Sequence, residues 1–429
     1  MPNLLPTSGM KFSVAGSNYL KEIDRIMKLI NECTFYTFLW CLYSLQGTLY
    51  ASGGIISKSL LLLILILSLY YTVRVITKYK RPAFLKVLLA FIGMYVVYVA
   101  CSYISPTIIY LDGVMEQTVS ATGTLKQLLI SLLPIFAYYD FGRRKIITDE
   151  NIQYYILLFL IVTTASFIRA QNDMLLNAAM ERSGREEFTN NVAYNFVHII
   201  PLVFCMNKRI LLQYASLVYI IIFLLLGMKR GAIIVGAMCV LYFVYISYKN
   251  ANKRQKGYIM LLLGIAIIGI VSFAGDFIGS SDYFQTRVEQ TLEGNTSGRD
   301  RIYQSLFEHA MYRQNIGQIL FGEGLNKTVT IAGNYAHNDW LELLINQGML
   351  GVILYVFYFV ALLFNYKQLK RVDIVKSNVL LTSMAIMFAG SLFSMSYGSL
   401  SLSLTFGLGY SLSSINSSSN SLLYRKSYK

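Results

Sequence analysis

Nine basic residues stand out for the chemistry they could do: Arg169, Arg182, Arg185, Lys229, Arg230, Arg287, Arg299, Arg301 and Arg313. Arginine presents a rigid five-donor fork that matches phosphate and carboxylate oxygens and stays charged at any relevant pH. A cluster of such forks suits an anion. Ion pairing with nearby acids, namely Asp276, Asp282, Glu289, Glu293, Asp300, Glu308 and Glu323, is the alternative and carries little energy. Arg230 is the sharpest case, because Gly227-Met228-Lys229-Arg230-Gly231 is a tight turn between apolar runs with no acid close in sequence. A lipid headgroup or simple snorkelling would also account for it, and for Lys126.

The histidines are His198, His309 and His337. His198 lies in a short apolar run, where a neutral imidazole bonded to another helix competes with a relay role. His309 sits in a polar stretch and is read as solvated. His337 stands in Tyr335-Ala336-His337-Asn338-Asp339-Trp340-Leu341-Glu342, where a polar segment becomes a helix that Asn338 could cap. A histidine at a helix start can act as base or donor, although capping or packing alone would explain its position. No Asp-x-Asp or His-rich cluster suggests a metal. Cys33, Cys41, Cys101, Cys205 and Cys239 fall in apolar runs without ligand spacing.

These residues need a scaffold, and the composition dictates which. Of 429 residues, 55% are hydrophobic and only 14% charged, with a mean hydropathy of +0.52. So few charges could not cover a water-soluble domain of this size. The predicted fold is an all-α polytopic membrane protein, a single transmembrane domain over residues 1–429. About 12 spans are expected, at roughly 33–50, 55–73, 83–104, 123–139, 152–168, 192–206, 210–227, 231–248, 257–275, 338–365, 377–396 and 399–415. The tenth meets Gln347 and Gly348 early, which predicts a break. Leu20, Ile23, Met27 and Ile30 suggest an interfacial helix in a stretch without a signal-peptide core. Residues 411–421 are Ser/Asn-rich.

The net charge of +15 would suggest nucleic acid in a soluble chain, but here it reads as orientation. Alternate placement puts 25 of the 37 basic residues on one side and 12 on the other. Both termini are therefore expected in the cytoplasm, with long extracytoplasmic loops at 169–191 and 276–336. The nine residues above belong to the outer minority.

Ser297-Gly298-Arg299, Gly322-Glu323-Gly324, Ala336-His337-Asn338-Asp339-Trp340-Leu341 and Gln347-Gly348-Met349-Leu350-Gly351, in this order, resemble the O-antigen ligase/polymerase superfamily. Lys229-Arg230-Gly231 and Asn191-Val192-Ala193-Tyr194-Asn195 extend the likeness upstream. The resemblance implies a bacterial inner-membrane glycosyltransferase using a polyprenyl-diphosphate-linked oligosaccharide as donor and acceptor. It implies diphosphate-binding roles for Arg230 and Arg299 and a catalytic or acceptor-orienting role for His337. Asp339 and Glu342 are alternative bases or orienting groups, and Asn338 and Glu342 join Arg169, Arg185, Arg287 and Arg313 as substrate-binding candidates. Arg287 to Gly298 and Arg313 to Gly324 also fit an Arg-x10-Gly pattern described for such polymerases, which no arginine of the first loop does.

The implied chemistry needs no cofactor and no metal, with arginines meeting the leaving diphosphate. A repeat-unit polymerase of O-antigen or capsule is the leading expectation. A ligase moving finished glycan onto lipid A-core or another acceptor comes second, and a lipid-linked anion transporter or flippase is the rival of another class. The lipid bilayer, a chain-length regulator and a flippase are the further partners expected, and nucleic acid is not.

Overall fold

The computed structural model describes residues 31–104, 108–111, 115–118, 121–180, 189–261, 264, 298–312, 314–394 and 396–415. The long apolar runs form helices α1 (Glu32–Ser44), α2 (Ile55–Lys78) and α3 (Ala83–Ile104). A hairpin of β1 (Ile108–Leu111) and β2 (Met115–Thr118) follows, antiparallel, with Ile108 opposite Thr118, an addition to the all-α expectation. Next come α4 (Ala121–Leu132), α5 (Pro134–Arg143), α6 (Ile152–Met180), α7 (Ala193–Val197) and α8 (Ile200–Val203), then α9 (Ile210–Leu226) and α10 (Arg230–Asn250). After residues outside the description the chain resumes with α11 (Arg299–Tyr312), α12 (Ile316–Phe321), α13 (Lys327–Ala332), α14 (Asp339–Leu369), α15 (Ile374–Phe393) and α16 (Leu402–Leu412).

The chain is a multi-pass membrane protein. Among the described residues six helices are long and apolar enough to cross a bilayer: α2, α3, α6, α10, α14 and α15. The other expected spans differ for local reasons. The run at 123–139 is divided at Pro134, whose ring and missing N–H end one helix and start another. The run at 192–206 is a chain of short turns, with Pro201 near the start of α8. The runs at 210–227 and 399–415 yield shorter apolar helices. Most of the expected span at 257–275, the interfacial helix at 20–30 and the tail beyond 415 lie outside the described residues.

Both expected loops are partly helical. Residues 169–180 continue α6, because helix-forming residues run past Arg169 and Arg169 pairs with Asp173 one turn on, at 3.3 Å. A loop boundary drawn at the first charge therefore falls too early. The described part of 276–336 carries α11, α12 and α13.

Two short helices, α5 and α16, are buried almost throughout. Every residue of α5 from Pro134 to Phe141 is buried, as is every residue of α16 from Ser403 to Leu412. They touch closely: a Cβ at Gly409 would fall 2.5 Å from the Ile135 carbonyl oxygen and 2.8 Å from the Tyr139 nitrogen. Small residues permit such backbone approach where lipid supplies no hydrophobic drive between helices. This pair divides the core. Tyr138, Phe141, Phe406 and Tyr410 face a cluster with α1, α6, α7 and α10, while Ile135, Phe136, Leu404 and Leu408 face another with α3, α4 and α14.

The predicted break in α14 is present, with Gly348 at φ 64° and ψ −159°. A kink frees carbonyls that must find donors. Here Glu323 N–H donates to the Ile345 carbonyl at 2.9 Å, Gly324 N–H to Asn346 at 3.1 Å and the Tyr98 hydroxyl to Gln347 at 3.2 Å. The approach requires two glycines: a Cβ at Gly348 would meet Gly322 N at 2.5 Å, and one at Gly322 would meet the Asn346 carbonyl at 2.4 Å. The two glycine motifs, distant in sequence, are the two halves of this contact.

Candidate functional site

The kink and the start of α14 build one end of the bundle. Asn338 caps α14, its side-chain oxygen accepting from Trp340 N–H at 3.0 Å and Leu341 N–H at 3.1 Å, while its amide donates to the Leu392 carbonyl at 3.3 Å. Glu342, 1% exposed, pins the preceding loop. Its oxygens accept from Ala336 N–H at 2.9 Å, the Thr328 hydroxyl at 2.6 Å and the Asn346 amide at 2.9 Å. Asp339 is buried and holds the segment after α15, accepting from Ser396 N–H at 2.9 Å, the Ser396 hydroxyl at 2.7 Å and the Tyr355 hydroxyl at 2.6 Å. Asn338, Asp339 and Glu342 are thus each bonded to the loop and helix segments that flank His337.

His337 itself is held at φ 50°, in the left-handed region, between the pinned Ala336 and the cap. Its ring makes no hydrogen bond with a described residue, and it lines a cavity of about 400 Å³. Arg299, Lys229, His198, Asn191, Tyr194, Asn195, Ser396 and Ser399 are among its other lining residues. Burial first, then the Arg299 and Lys229 charges, push the His337 pKa below its ordinary value. A neutral imidazole beside two cations can accept a proton while the cations face an anion.

Arg299 opens α11 and donates to the Phe393 carbonyl at 3.0 Å, so one arm of its fork is anchored. The other wall is built by the Asn190–Asn195 turn. Asn190 N–H donates to the Gly227 carbonyl at 2.8 Å, and the Asn190 amide donates to the Phe167 carbonyl at 3.0 Å. A Cβ at Gly231 would overlap the Tyr194 hydroxyl, so the glycine of Lys229-Arg230-Gly231 admits the tyrosine.

The candidates from sequence separate accordingly. His337 and Arg299 share the cavity, whereas Arg230, half-buried at the first residue of α10, is adjacent to the lining residue Lys229. Arg169 is directed elsewhere, donating to the Gln46 carbonyl and pairing with Asp173. Arg182, Arg185, Arg287 and Arg313 lie outside the described residues. His309 pairs with Glu323 at 2.6 Å, away from the cavity lining. Sequence reasoning missed the part of the wall that Phe393, Ser394, Ser396, Ser399, Leu400 and Leu404 supply. Its only signal was a Ser/Gly/Tyr-rich break, Ser394 to Ser401, between two apolar runs. Among the described residues no group of three or more His, Cys, Asp or Glu side chains is placed to hold a metal ion.

No curated protein matches the chain. The segment from Ala215 in α9 to Val356 in α14 includes Lys229, Arg299, His337 and both halves of the kink contact. Residues 215–356 match the family described as O-Antigen ligase, which is consistent with the resemblance to the O-antigen ligase/polymerase superfamily.

Proposed function

We propose that the protein is a polysaccharide repeat-unit polymerase, joining polyprenyl-diphosphate-linked oligosaccharides at the outer face of the cytoplasmic membrane. The observation that carries this reading is the convergence of His337, Arg299 and Lys229 on one cavity. An acceptor hydroxyl attacks the anomeric carbon of the donor sugar; the new C–O bond forms as the bond from carbon to the phosphate oxygen breaks. The electron pair leaves with the diphosphate, where Arg299 and Lys229 meet the developing charge. The hydroxyl proton passes to the neutral imidazole of His337. Arg230, one residue from Lys229, is assigned to the same diphosphate.

Sidedness follows from charge. Residues 229, 299 and 337 share one end, while Arg74, Arg144, Asp140 and Glu32 form an ion-paired cluster elsewhere, with Arg144 at 2.6 Å from Glu32 and 2.8 Å from Asp140. The positive-inside bias assigns Arg74 and Arg144, and with them both termini, to the cytoplasm. A site confined to one end favours an enzyme over alternating access.

Deleting the gene and resolving the surface glycan on a gel tests the reading. Single repeat units on the final acceptor are expected. Complete loss of attached glycan would instead identify a ligase, and normal long chains would overturn both. Extension of a defined polyprenyl-diphosphate oligosaccharide by the purified protein is expected to persist with chelator present.

A further inference from the structure

A second cavity, of about 720 Å³, adjoins the first and shares Asn195, Ser399 and Leu400 with it. Its walls come from α1, α4, α6 and the 398–403 segment, and its volume is that of a small-molecule site. The lining is unusual for a membrane bundle: Ser44, Thr124, Gln127, Thr163, Ser166 and Ser401 supply neutral groups that donate and accept, with Lys126 the one charge and no carboxylate among the described residues. The Gln127 and Thr163 side chains make no hydrogen bond with a described residue. Gln127 is exposed and Thr163 half-buried, so both can turn hydrogen-bonding groups to a ligand in the cavity. Trp40 and Tyr43, edge to face at 5.9 Å, add an aromatic wall. Hydroxyls that pair with hydroxyls, beside aromatic surface for C–H faces, match a saccharide.

We propose that this cavity is the saccharide compartment of the acceptor, with Gln127 and Thr163 as residues that determine its specificity. The assignment rests on the glycosyl-transfer reading above. In a direct displacement the attacking hydroxyl and the leaving diphosphate lie on opposite sides of the anomeric carbon. The acceptor sugar therefore needs space adjoining the cation-lined cavity, not within it. Tyr335, two residues before His337, lines the larger cavity, so one short loop touches both chambers.

Binding to the full-length protein in lipid nanodiscs tests this with two probes. One is undecaprenyl diphosphate without sugar. The other is the repeat-unit oligosaccharide that accumulates in a strain deleted for the gene, freed from lipid by mild acid. Wild type is expected to bind both. Combining Gln127→Ala with Thr163→Val is expected to weaken the oligosaccharide about tenfold, from two lost hydrogen bonds, and to leave undecaprenyl diphosphate unchanged. Arg299→Ala is expected to do the reverse. Wild-type affinity of the double variant for the oligosaccharide, equal weakening of both probes, or a wild type that binds only the diphosphate would each overturn the compartment. A wild type that binds neither probe overturns the glycosyl-transfer reading itself.

Discussion

As the proposed base His337 must be unprotonated, and burial first, then the Arg299 and Lys229 charges, push its pKa below the ordinary histidine value. Its pKa is depressed, so activity is present above that pKa and is lost as pH falls through it. The acid limb of kcat/KM is accordingly expected below the pH at which an ordinary histidine titrates. Bound diphosphate neutralises the two cations, so the limb of kcat is expected at higher pH than that of kcat/KM. Coincident limbs at the ordinary histidine value would refute the electrostatic argument. His337→Ala is expected to slow chain extension by about 10²–10⁴-fold with the protein still inserted and monodisperse. Arg299→Ala, which removes the charge proposed to meet the leaving group, is expected to cost about 10²–10³-fold. Wild-type rates in either variant would remove that residue from the reaction.

At the scale of elements, the site depends on how α14 begins and where it bends. Asn338→Ala removes the cap and is expected to cost about 1 kcal/mol, read as a lower thermal midpoint in detergent. Gly348→Ala strains a positive φ and drives a Cβ into the backbone of Gly322. A loss of about 1–3 kcal/mol or more is expected, together with lowered activity, because the same contact carries the loop to His337. An unchanged midpoint would mean that the bend is not built as described. Glu342→Ala orphans Ala336 N–H, the Thr328 hydroxyl and the Asn346 amide, at about 1–3 kcal/mol for each group left buried and unpaired.

At the scale of the whole molecule, α5 and α16 are the partition on which both halves of the core are packed. Gly409→Leu would push the two backbones apart, and the purified variant is expected to lose its monodisperse peak on size exclusion, whereas an exposed change such as Leu62→Ala leaves it intact. Sidedness has its own check. In a cysteine-free background, single cysteines at Gly333 and Gly53 are expected to react with an impermeant maleimide added to spheroplasts, and one at Arg371 only after lysis. The opposite pattern would invert the proposed orientation.

Composition and periodicity alone determined that the chain is a membrane protein, because a bilayer imposes hydropathy on each span separately. They also placed the break at Gly348 and the cap at Asn338, since glycine and capping residues act locally. Helix ends were legible less well: Pro134 split a run whose hydropathy is continuous, and α6 ran on past a charge that looked like its limit. Only the tertiary structure decided which cations meet His337. Arg169 and Arg299 are the same residue type with the same apparent sidedness, yet one is spent on Gln46 and Asp173 and the other lines the cavity. That choice, like the wall supplied by Ser396, Ser399 and Leu404 and the fit of Gly322 into Gly348, depends on contacts between segments far apart in sequence. No local pattern encodes such distances, because packing sets them only when the helices meet.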